Sequence, residues 1–170
     1  MNILLIGFMG CGKTSLGKKL AKKMDAKFID LDKVLEKEEQ MSVPKIFELK
    51  GEPYFREIES QWLSKFKGKD TIISLGGGTP CYHENMELIN TIGSSVYLKM
   101  DASLLTDRLY NSIQKRPLIE EFKRDKVALS TKIESMLAER EPFYAKANIT
   151  FEASNVSSSK LDCLVELIAY

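Results

Sequence analysis

Short apolar runs alternate with longer segments of helical spacing along the chain, and this alternation predicts the secondary structure. Residues 2–6 form a short, mostly apolar run that predicts a buried strand, and residues 13–24 place Leu16, Leu20 and Met24 on one helical face. Four more strands are predicted, at residues 27–30, 71–75, 95–100 and 148–152. Further helices are predicted at residues 31–40, 44–66 with a break at Gly51-Glu52-Pro53, 84–92, 102–110, 125–140 and about 161–168.

This order of elements predicts an α/β fold. Strands that alternate with helices form a parallel sheet with helices on both faces. We therefore expect a three-layer αβα architecture with a five-stranded parallel sheet. The length of 170 residues favours a single domain over residues 1–170. The polar, charged stretch of residues 112–126 has Pro117 near its middle and is typical of a mobile loop.

Composition and charge exclude several classes of protein. The 25 basic residues balance the 24 acidic ones, which argues against a nucleic-acid partner, since such proteins usually carry a strong basic excess. Three cysteines and no CxxC pair argue against a disulfide framework or a zinc site and favour a reducing compartment. The apolar N-terminal run lacks the flanks of a signal peptide, and no run is long enough to cross a bilayer. We expect a cytoplasmic monomer with no membrane partner.

The strongest motif lies between the first predicted strand and the first predicted helix. Residues 7–14, GFMGCGKT, match G-x-x-x-x-G-K-[ST] at every fixed position. Glycines let backbone N–H groups wrap a phosphate, and the helix that follows points its positive end at the same anion. A chance glycine-rich turn is the alternative, but the strand–motif–helix context argues against it. The ATP-binding residues predicted here are Gly10, Cys11, Gly12, Lys13, Thr14 and Ser15.

Individual side chains of this loop have separate expected roles. Lys13 supplies a positive charge to the β- and γ-phosphates, and the Thr14 hydroxyl is a ligand for Mg²⁺. Cys11 stands beside a helix N-terminus and Lys13, an environment that favours the reactive thiolate.

Two carboxylates follow the second predicted strand. If residues 30–32 continue the strand, Asp30 and Asp32 point the same way and Leu31 points to the other face. Ligands of open α/β sheets bind beyond the carboxyl ends of the strands, so both carboxylates are candidates for the site. One is expected to hold Mg²⁺ through water, and the other to accept a hydrogen bond from a substrate hydroxyl. A helix cap is the alternative role for Asp32.

Arginine and glycine provide the remaining candidates. Arg56 and Glu59 share a helix face, so Glu59 can orient a guanidinium that binds a substrate carboxylate bidentately. Taken alone, this pair is more typical of a surface salt bridge. The glycines 76–78 end the third strand and allow close approach of a ligand to the backbone, although a plain tight turn is the alternative.

The order and spacing of these features resemble the shikimate kinase family over nearly the whole chain, from residue 2 to about residue 150. The segments that carry the resemblance are the phosphate loop, Asp30 and Asp32, FREIE at 55–59, Gly76-Gly77-Gly78, RPL at 116–118 and REPFY at 140–144. The resemblance implies a P-loop kinase fold, with a substrate-binding helical segment at 32–60 and a lid at 112–126. It implies ATP-dependent phosphorylation of the 3-hydroxyl of shikimate, giving shikimate 3-phosphate and ADP in the chorismate pathway, with Mg²⁺ as cofactor.

The resemblance also assigns roles to residues. Lys13, Asp32 and Arg116 become catalytic, Thr14 and Asp30 bind the metal, and Arg108 and Arg116 join the ATP-binding residues. The implied substrate-binding residues are Asp32, Phe47, Phe55, Arg56, Gly76, Gly77, Gly78 and Arg140. Phe47 and Phe55 have an alternative role as ordinary core residues.

One segment departs from the family pattern. After the last strand the family often carries an aspartate and a later proline, whereas this chain has Glu152 and no proline before Ser157. Two other functions are compatible with the phosphate loop. A kinase for another small molecule or a nucleoside monophosphate would need a base pocket in place of Arg56 and the glycines. A non-catalytic nucleotide-binding module would lack a metal-binding carboxylate or a lid arginine.

Overall fold

The fold is an alternation of strands and helices, seen in a computed structural model that describes residues 1–169. The strands are β1 Ile3–Ile6, β2 Lys27–Asp30, β3 Thr71–Ser74, β4 Ser94–Lys99 and β5 Ile149–Glu152. The helices are α1 Lys13–Lys23, α2 Leu31–Glu39, α3 Val43–Lys65, α4 Asn85–Ile92, α5 Ala102–Tyr110, α6 Lys126–Tyr144 and α7 Ser158–Ala169. Short 3₁₀ helices lie at Thr79–Cys81 and Glu120–Arg124. None of the helices described is both long and apolar enough to cross a membrane.

The strands form one parallel sheet, as predicted. Within the described residues it has five strands in the order β2-β3-β1-β4-β5. Ile3 and Leu5 pack into a core on one face with residues of α1, α5, α6 and α7, and Leu4 and Ile6 pack into a core on the other with residues of α2, α3 and α4. This alternation along β1 confirms the three-layer αβα architecture.

The register of the sheet brings the candidate residues to one edge. Asp30, the last residue of β2, lies opposite Ser74, the last residue of β3, and Ser74 lies opposite Leu5 of β1. The phosphate loop therefore leaves β1 beside the carboxyl ends of β2 and β3. Ligands of open parallel sheets bind at this edge.

Helices α3 and α6 differ from their predicted bounds. The break in α3 is confined to Gly51, with φ 82° and ψ 166°, so Glu52 and Pro53 belong to the helix that contains Arg56. Helix α6 continues through Arg140 and Pro142 to Tyr144 rather than ending at residue 140. β2 ends at Asp30, as predicted, so the strand does not continue to Asp32, which is a helical residue in the first turn of α2.

The segment predicted as a lid, residues 112–126, contains more structure than its polar composition suggests. It includes the 3₁₀ helix Glu120–Arg124, and the side chain of Ile119 is fully buried in the core. Phe122 also packs against that core. The segment is thus anchored by apolar contacts on both sides of Glu120, while its mobility stays a prediction.

Gly7 directly follows β1 and has a backbone conformation that only glycine adopts at low cost. Its φ is +137°, and a Cβ here would lie 2.7 Å from the carbonyl oxygen of Leu98 in the neighbouring strand. Because a backbone atom blocks the space, we expect Gly7→Ala to lower the free energy of unfolding by about 1–3 kcal/mol. Urea denaturation of the purified variant measures this. Ser15→Ala, at an exposed position of α1, should stay within about 0.5 kcal/mol of the parent protein; equal losses in the two variants would contradict the prediction.

Candidate active site

A cavity of about 500 Å³ opens at the carboxyl ends of β1, β2 and β3. It is lined by the phosphate loop, by α2 and α3, by the glycine turn after β3, by the segment 114–118 and by Arg140 of α6. Every residue predicted for the site lines this cavity except Cys11 and Arg108. The predicted residues that line the cavity are Gly10, Gly12, Lys13, Thr14, Ser15, Asp30, Asp32, Phe47, Phe55, Arg56, Gly76, Gly77, Gly78, Arg116 and Arg140.

The phosphate loop presents Lys13 at the start of α1. Gly12 takes the left-handed conformation with φ 100° and precedes the first helical residue, Lys13. The buried Lys13 ammonium donates hydrogen bonds to the carbonyls of Gly7 at 2.7 Å and Phe8 at 2.9 Å. The positive end of α1 and this ammonium group therefore converge on the mouth of the loop, which is suited to binding phosphate.

The two predicted ATP-binding residues that do not line the cavity, Cys11 and Arg108, have other surroundings. Cys11 is buried in the hydrophobic core with its Sγ 3.9 Å from the Lys13 Nζ, so the thiol has its expected cationic neighbour but little exposure to solvent, and its reactivity stays a prediction. Arg108 is exposed and donates from Nη1 to the Gly10 carbonyl at 3.2 Å. Its role in ATP binding stays a prediction.

Asp30 and Thr14 form a pair of oxygen ligands. The Thr14 hydroxyl donates to Asp30 Oδ2 at 2.7 Å, across 16 residues of sequence. Asp30 also caps α2, because its Oδ1 accepts a hydrogen bond from the Lys33 backbone N–H at 3.4 Å. The alternative that Asp32 is this cap was therefore wrong, and the cap residue is Asp30.

The Thr14–Asp30 pair fits Mg²⁺. A hydroxyl and a carboxylate are hard oxygen ligands, and Mg²⁺ typically takes few protein ligands and completes its shell with water and substrate phosphates. The described residues contain no group of three or more His, Cys, Asp or Glu side chains that could hold a metal ion. A metal bound at Thr14 and Asp30 would thus depend on phosphate oxygens for the rest of its coordination.

Asp32 lies in the cavity in a different electrostatic environment. Burial, and secondarily the negative charge of Asp30, raise the pKa of the Asp32 carboxyl, while the positive charge of Lys13 opposes this rise. Its Oδ1 is buried and has no hydrogen-bond partner in the protein. A buried acceptor without a partner is costly, so this oxygen is suited to accept a hydrogen bond from a ligand hydroxyl.

Arg56 is buried on α3 between two carboxylates. Its Nη1 donates to Glu59 Oε2 at 2.7 Å, and its Nε and Nη2 both donate to Glu52 Oε1, at 3.1 Å and 2.8 Å. Glu59 is 0% exposed and also accepts a hydrogen bond from the Thr79 hydroxyl. This buried, multiply bonded arrangement excludes the alternative of an ordinary surface salt bridge for Arg56 and Glu59.

Burial and the neighbouring charges act in opposite directions on the pKa values of Arg56 and Glu59. Burial acts to lower the pKa of Arg56, but the charges and hydrogen bonds of Glu59 and Glu52 raise it overall. Burial raises the pKa of Glu59, against the opposing charge of Arg56 and the hydrogen bond from Thr79. The guanidinium therefore stays protonated and has a fixed orientation toward the cavity.

Arg140 reaches the cavity from α6 on the opposite side. Its side chain is buried, with the guanidinium carbon 5.3 Å from the centre of the Phe8 ring. Its Nη1 is buried and has no hydrogen-bond partner in the protein. Two guanidinium groups thus face the cavity, one held by carboxylates and one with a free donor, and together they are suited to an anionic ligand.

The glycine turn lies between these two arginines. A Cβ at Gly77 would be 3.3 Å from Arg140 Nη1, and a Cβ at Gly78 would be 2.5 Å from Arg56 Nη2. The Tyr144 hydroxyl donates to the Gly77 carbonyl. A Cβ at Gly78 would overlap the Arg56 guanidinium and one at Gly77 would crowd Arg140, so side chains from α3 and α6 favour glycine at both positions, which a plain tight turn would not explain.

Arg116 enters the cavity from the predicted lid segment. The side chain is half-buried, its Nη2 donates to Gln114 Oε1 at 3.0 Å, and its buried Nε has no partner in the protein. Burial lowers the pKa of Arg116, and the negative charge of Asp32 acts in the opposite direction. A positive charge with an unpartnered Nε donor thus lines the same cavity as the phosphate loop.

Phe47 and Phe55 combine both roles considered for them. Their ring centres are 5.1 Å apart, and both rings line the cavity. Phe55 belongs to the buried core and Phe47 packs against that core. The same two rings are therefore part of the core and part of the cavity wall.

Two residues around the site were not singled out from the sequence. Glu52 was missed because it was predicted to lie in the helix break. Once the helix is seen to start at residue 52, the spacing of four residues between Glu52 and Arg56 indicates that the two side chains are neighbours on one helix face. Tyr144 was noted only as part of the REPFY segment, and nothing local to it indicates the hydrogen bond to Gly77, which lies 67 residues away.

Comparisons with known proteins identify the family that this chain is similar to. The family model described as shikimate kinase matches residues 9–168. The curated shikimate kinase of Parabacteroides distasonis is 42% identical over 155 residues, which cover 91% of this chain and 88% of that protein.

Solved structures are similar over the full length. The crystal structure of shikimate kinase from Bacteroides thetaiotaomicron has a TM-score of 0.92 at 35% identity, covering 100% of this chain and 99% of the other. The shikimate kinase of Acinetobacter baumannii in complex with shikimate has a TM-score of 0.87 at 31% identity, covering 99% of this chain and 92% of the other.

Proposed function

The chain belongs to the shikimate kinase family, and from this premise we propose that it transfers the γ-phosphoryl group of ATP to the 3-hydroxyl of shikimate. The products are shikimate 3-phosphate and ADP, in the pathway to chorismate. The observation that supports this most is the joint placement of a phosphate loop, a carboxylate with an unpartnered oxygen and two inward-facing arginines around one cavity.

The nucleotide occupies the phosphate-loop end of the cavity. Backbone N–H groups at Gly10 to Ser15 and the start of α1 hold the phosphates, and the Lys13 ammonium moves from the carbonyls of Gly7 and Phe8 to the phosphate oxygens. Thr14 and Asp30 hold Mg²⁺, which when bound neutralises charge on the β- and γ-phosphates. Arg116 reaches the transferring phosphoryl group from the lid, residues 112–126.

Shikimate occupies the other end, against the segment 32–60. Arg56 and Arg140 bind its carboxylate from opposite sides of the glycine turn, and the rings of Phe47 and Phe55 pack against its carbon ring. Asp32 accepts a hydrogen bond from the 3-hydroxyl. The substrate is thus oriented by charge at one end and by one hydrogen bond at the reacting end.

The chemical step exchanges one bond to phosphorus for another. The 3-hydroxyl oxygen bonds to the γ-phosphorus while the bond to the β,γ-bridging oxygen breaks, and the hydroxyl proton passes to the Asp32 carboxylate. ADP leaves with the electron pair of the broken bond. Because the transition state of such transfers is largely loose, positioning and charge carry most of the rate enhancement, and Asp32 need not be a strong base.

A coupled assay tests the function directly. Purified protein with ATP and Mg²⁺ should form ADP at a rate that depends on added shikimate, and mass spectrometry should detect shikimate 3-phosphate. A panel of nucleoside monophosphates, gluconate and shikimate serves as the acceptor comparison. Turnover with another acceptor and none with shikimate would overturn the proposal.

The described cysteines are all free thiols, which supports a reducing, cytoplasmic location.

Arg140 offers the cleanest test of carboxylate binding. Arg56→Ala would leave Glu59 buried without its cation and destabilise the fold, whereas Arg140 forms no salt bridge in the described structure. We expect Arg140→Met to raise the KM for shikimate roughly 10- to 100-fold, since a hydrogen bond to a charged group contributes about 1.5–3 kcal/mol. The KM for ATP should change less than about twofold.

Lys146→Met is the matched control, because it removes the same charge from an exposed position just after α6. Steady-state kinetics with each substrate varied in turn measures both constants. A similar rise in the KM for ATP and for shikimate in Arg140→Met would remove Arg140 from the shikimate site.

A further inference from the structure

Arg56 donates three side-chain hydrogen bonds within the protein, and they are divided unequally between two glutamates. A guanidinium has five N–H donors: one on Nε and two on each terminal nitrogen. Glu52 accepts from Nε and from Nη2, and Glu59 accepts from Nη1. Three donors are thus used within the protein, which leaves one on Nη1 and one on Nη2.

The two remaining donors are on adjacent nitrogens. Nη1 and Nη2 together form the end of the guanidinium fork, and a carboxylate accepts from such a pair bidentately. Without Glu52, the edge of the guanidinium formed by Nε and Nη2 would be a second place at which a ligand carboxylate could bind bidentately. Glu52 therefore decides which edge of Arg56 is available to a ligand.

The two glutamates differ in how firmly they are fixed. Glu59 is 0% exposed and accepts a second hydrogen bond from Thr79, so it is a permanent partner inside the core. The side chain of Glu52 is 32% exposed and does not line the cavity, whereas Arg56 does. Glu52 thus holds Arg56 from the side away from the ligand.

Tyr82 completes the support on that outer side. Its ring centre lies 4.8 Å from the Arg56 guanidinium carbon, nearer than the rings of Phe55 at 5.6 Å and Phe47 at 5.8 Å. Its hydroxyl donates to Glu52 Oε1 at 3.3 Å. The same carboxylate oxygen therefore receives three hydrogen bonds, and Glu52 and Tyr82 form an outer brace for the arginine.

We propose that Glu52 is a positioning residue that engages the Nε–Nη2 edge of Arg56 and so presents the Nη1–Nη2 end to the substrate carboxylate. This inference rests on the proposed function, since it takes shikimate as the ligand of Arg56. Glu52 acts through Arg56 and touches neither substrate. Its contribution is confined to recognition of the carboxylate and does not extend to the phosphate loop.

The test compares Glu52→Ala and Glu52→Gln with the parent enzyme. Glu52→Ala should raise the KM and the calorimetric Kd for shikimate about tenfold, a change that corresponds to about 1.4 kcal/mol, while the KM for ATP stays within about twofold. Glu52→Gln retains an oxygen acceptor for Nε and Nη2, so it should recover part of the loss. Glu57→Ala removes the same charge from an exposed neighbouring position of α3 and should leave both KM values unchanged.

A neutral ligand separates positioning from a general structural effect. The primary amide of shikimate lacks the carboxylate, so its Ki as a competitive inhibitor should be the same for Glu52→Ala and the parent. An unchanged KM for shikimate in Glu52→Ala, or an equal loss with the amide, would overturn the inference. Absence of shikimate turnover in the parent enzyme would instead overturn the proposed function, so the two failures are distinguishable.

Discussion

Replacement of Arg116 by alanine should lower kcat about 10³-fold. Arg116 lies in the segment that borders the cavity opposite the phosphate loop, and it is half-buried with an unpartnered Nε. Charge develops on the transferring phosphoryl group, and an arginine placed there contributes roughly 10³–10⁵ to the rate in related chemistry. We expect the lower end of this range, because Lys13 already supplies one positive charge nearby.

Variants of the same segment make this result specific. Arg124→Ala removes an identical charge from an exposed position that does not line the cavity, and it should retain kcat within about twofold. Arg116→Lys keeps the charge but loses the planar fork, so it should recover only part of the activity. Steady-state kinetics at saturating ATP and shikimate measures all three. If kcat falls less than about tenfold in Arg116→Ala, or falls equally in Arg124→Ala, Arg116 does not stabilise the transferring phosphoryl group.

Replacement of Asp32 by asparagine should lower kcat about 10²-fold and leave the Mg²⁺ requirement unchanged. The buried Oδ1 of Asp32 has no partner in the protein, so we expect it to contact the reacting hydroxyl. General acid–base groups contribute about 10²–10⁴, and a loose transition state places phosphoryl transfer near the lower limit. Asparagine preserves the size of the side chain but does not accept the proton.

Asp30→Asn is the informative comparison, because Asp30 is hydrogen-bonded to Thr14 and lies only two residues away. This variant should shift the Mg²⁺ concentration for half-maximal rate upward, with a smaller effect on kcat at saturating metal. A titration of the initial rate against Mg²⁺ for both variants distinguishes the two carboxylates. If Asp32→Asn shifts the metal requirement and Asp30→Asn does not, the two roles have been assigned in reverse.

Much of this site could be predicted from sequence because its signals are local. The phosphate loop occupies eight consecutive positions, residues 7–14, between a strand and a helix, so neighbouring residues contain the whole pattern. The alternation of strands with helices likewise predicted the parallel sheet, and the central strands β1 and β3 are buried along their whole length, as strands covered by helices on both faces must be.

Errors arose where a short-range pattern admits two backbone geometries. The motif D-x-D occurs in strands, where its two carboxylates share a face, and also at helix starts, where its first aspartate is the N-cap. The strand ends at Asp30 because its side chain caps α2, which puts Asp32 into the first helical turn. Gly51 alone takes the non-helical conformation at the predicted break, so Pro53 lies in the first turn of the helix that follows, where its missing N–H costs little.

The sequence by itself determined the phosphate loop, the sheet and the identity of most residues in the cavity. Tertiary structure alone decided how those residues are bonded and buried. Glu52 and Glu59 divide the hydrogen-bond donors of Arg56 between them. Tyr144 of α6 donates to the Gly77 carbonyl, and Cys11 of the phosphate loop is buried in the core. The reason is physical. Local spacing specifies which side chains share an element, but burial and the direction of a hydrogen bond depend on elements that are distant in sequence and meet only in the folded chain.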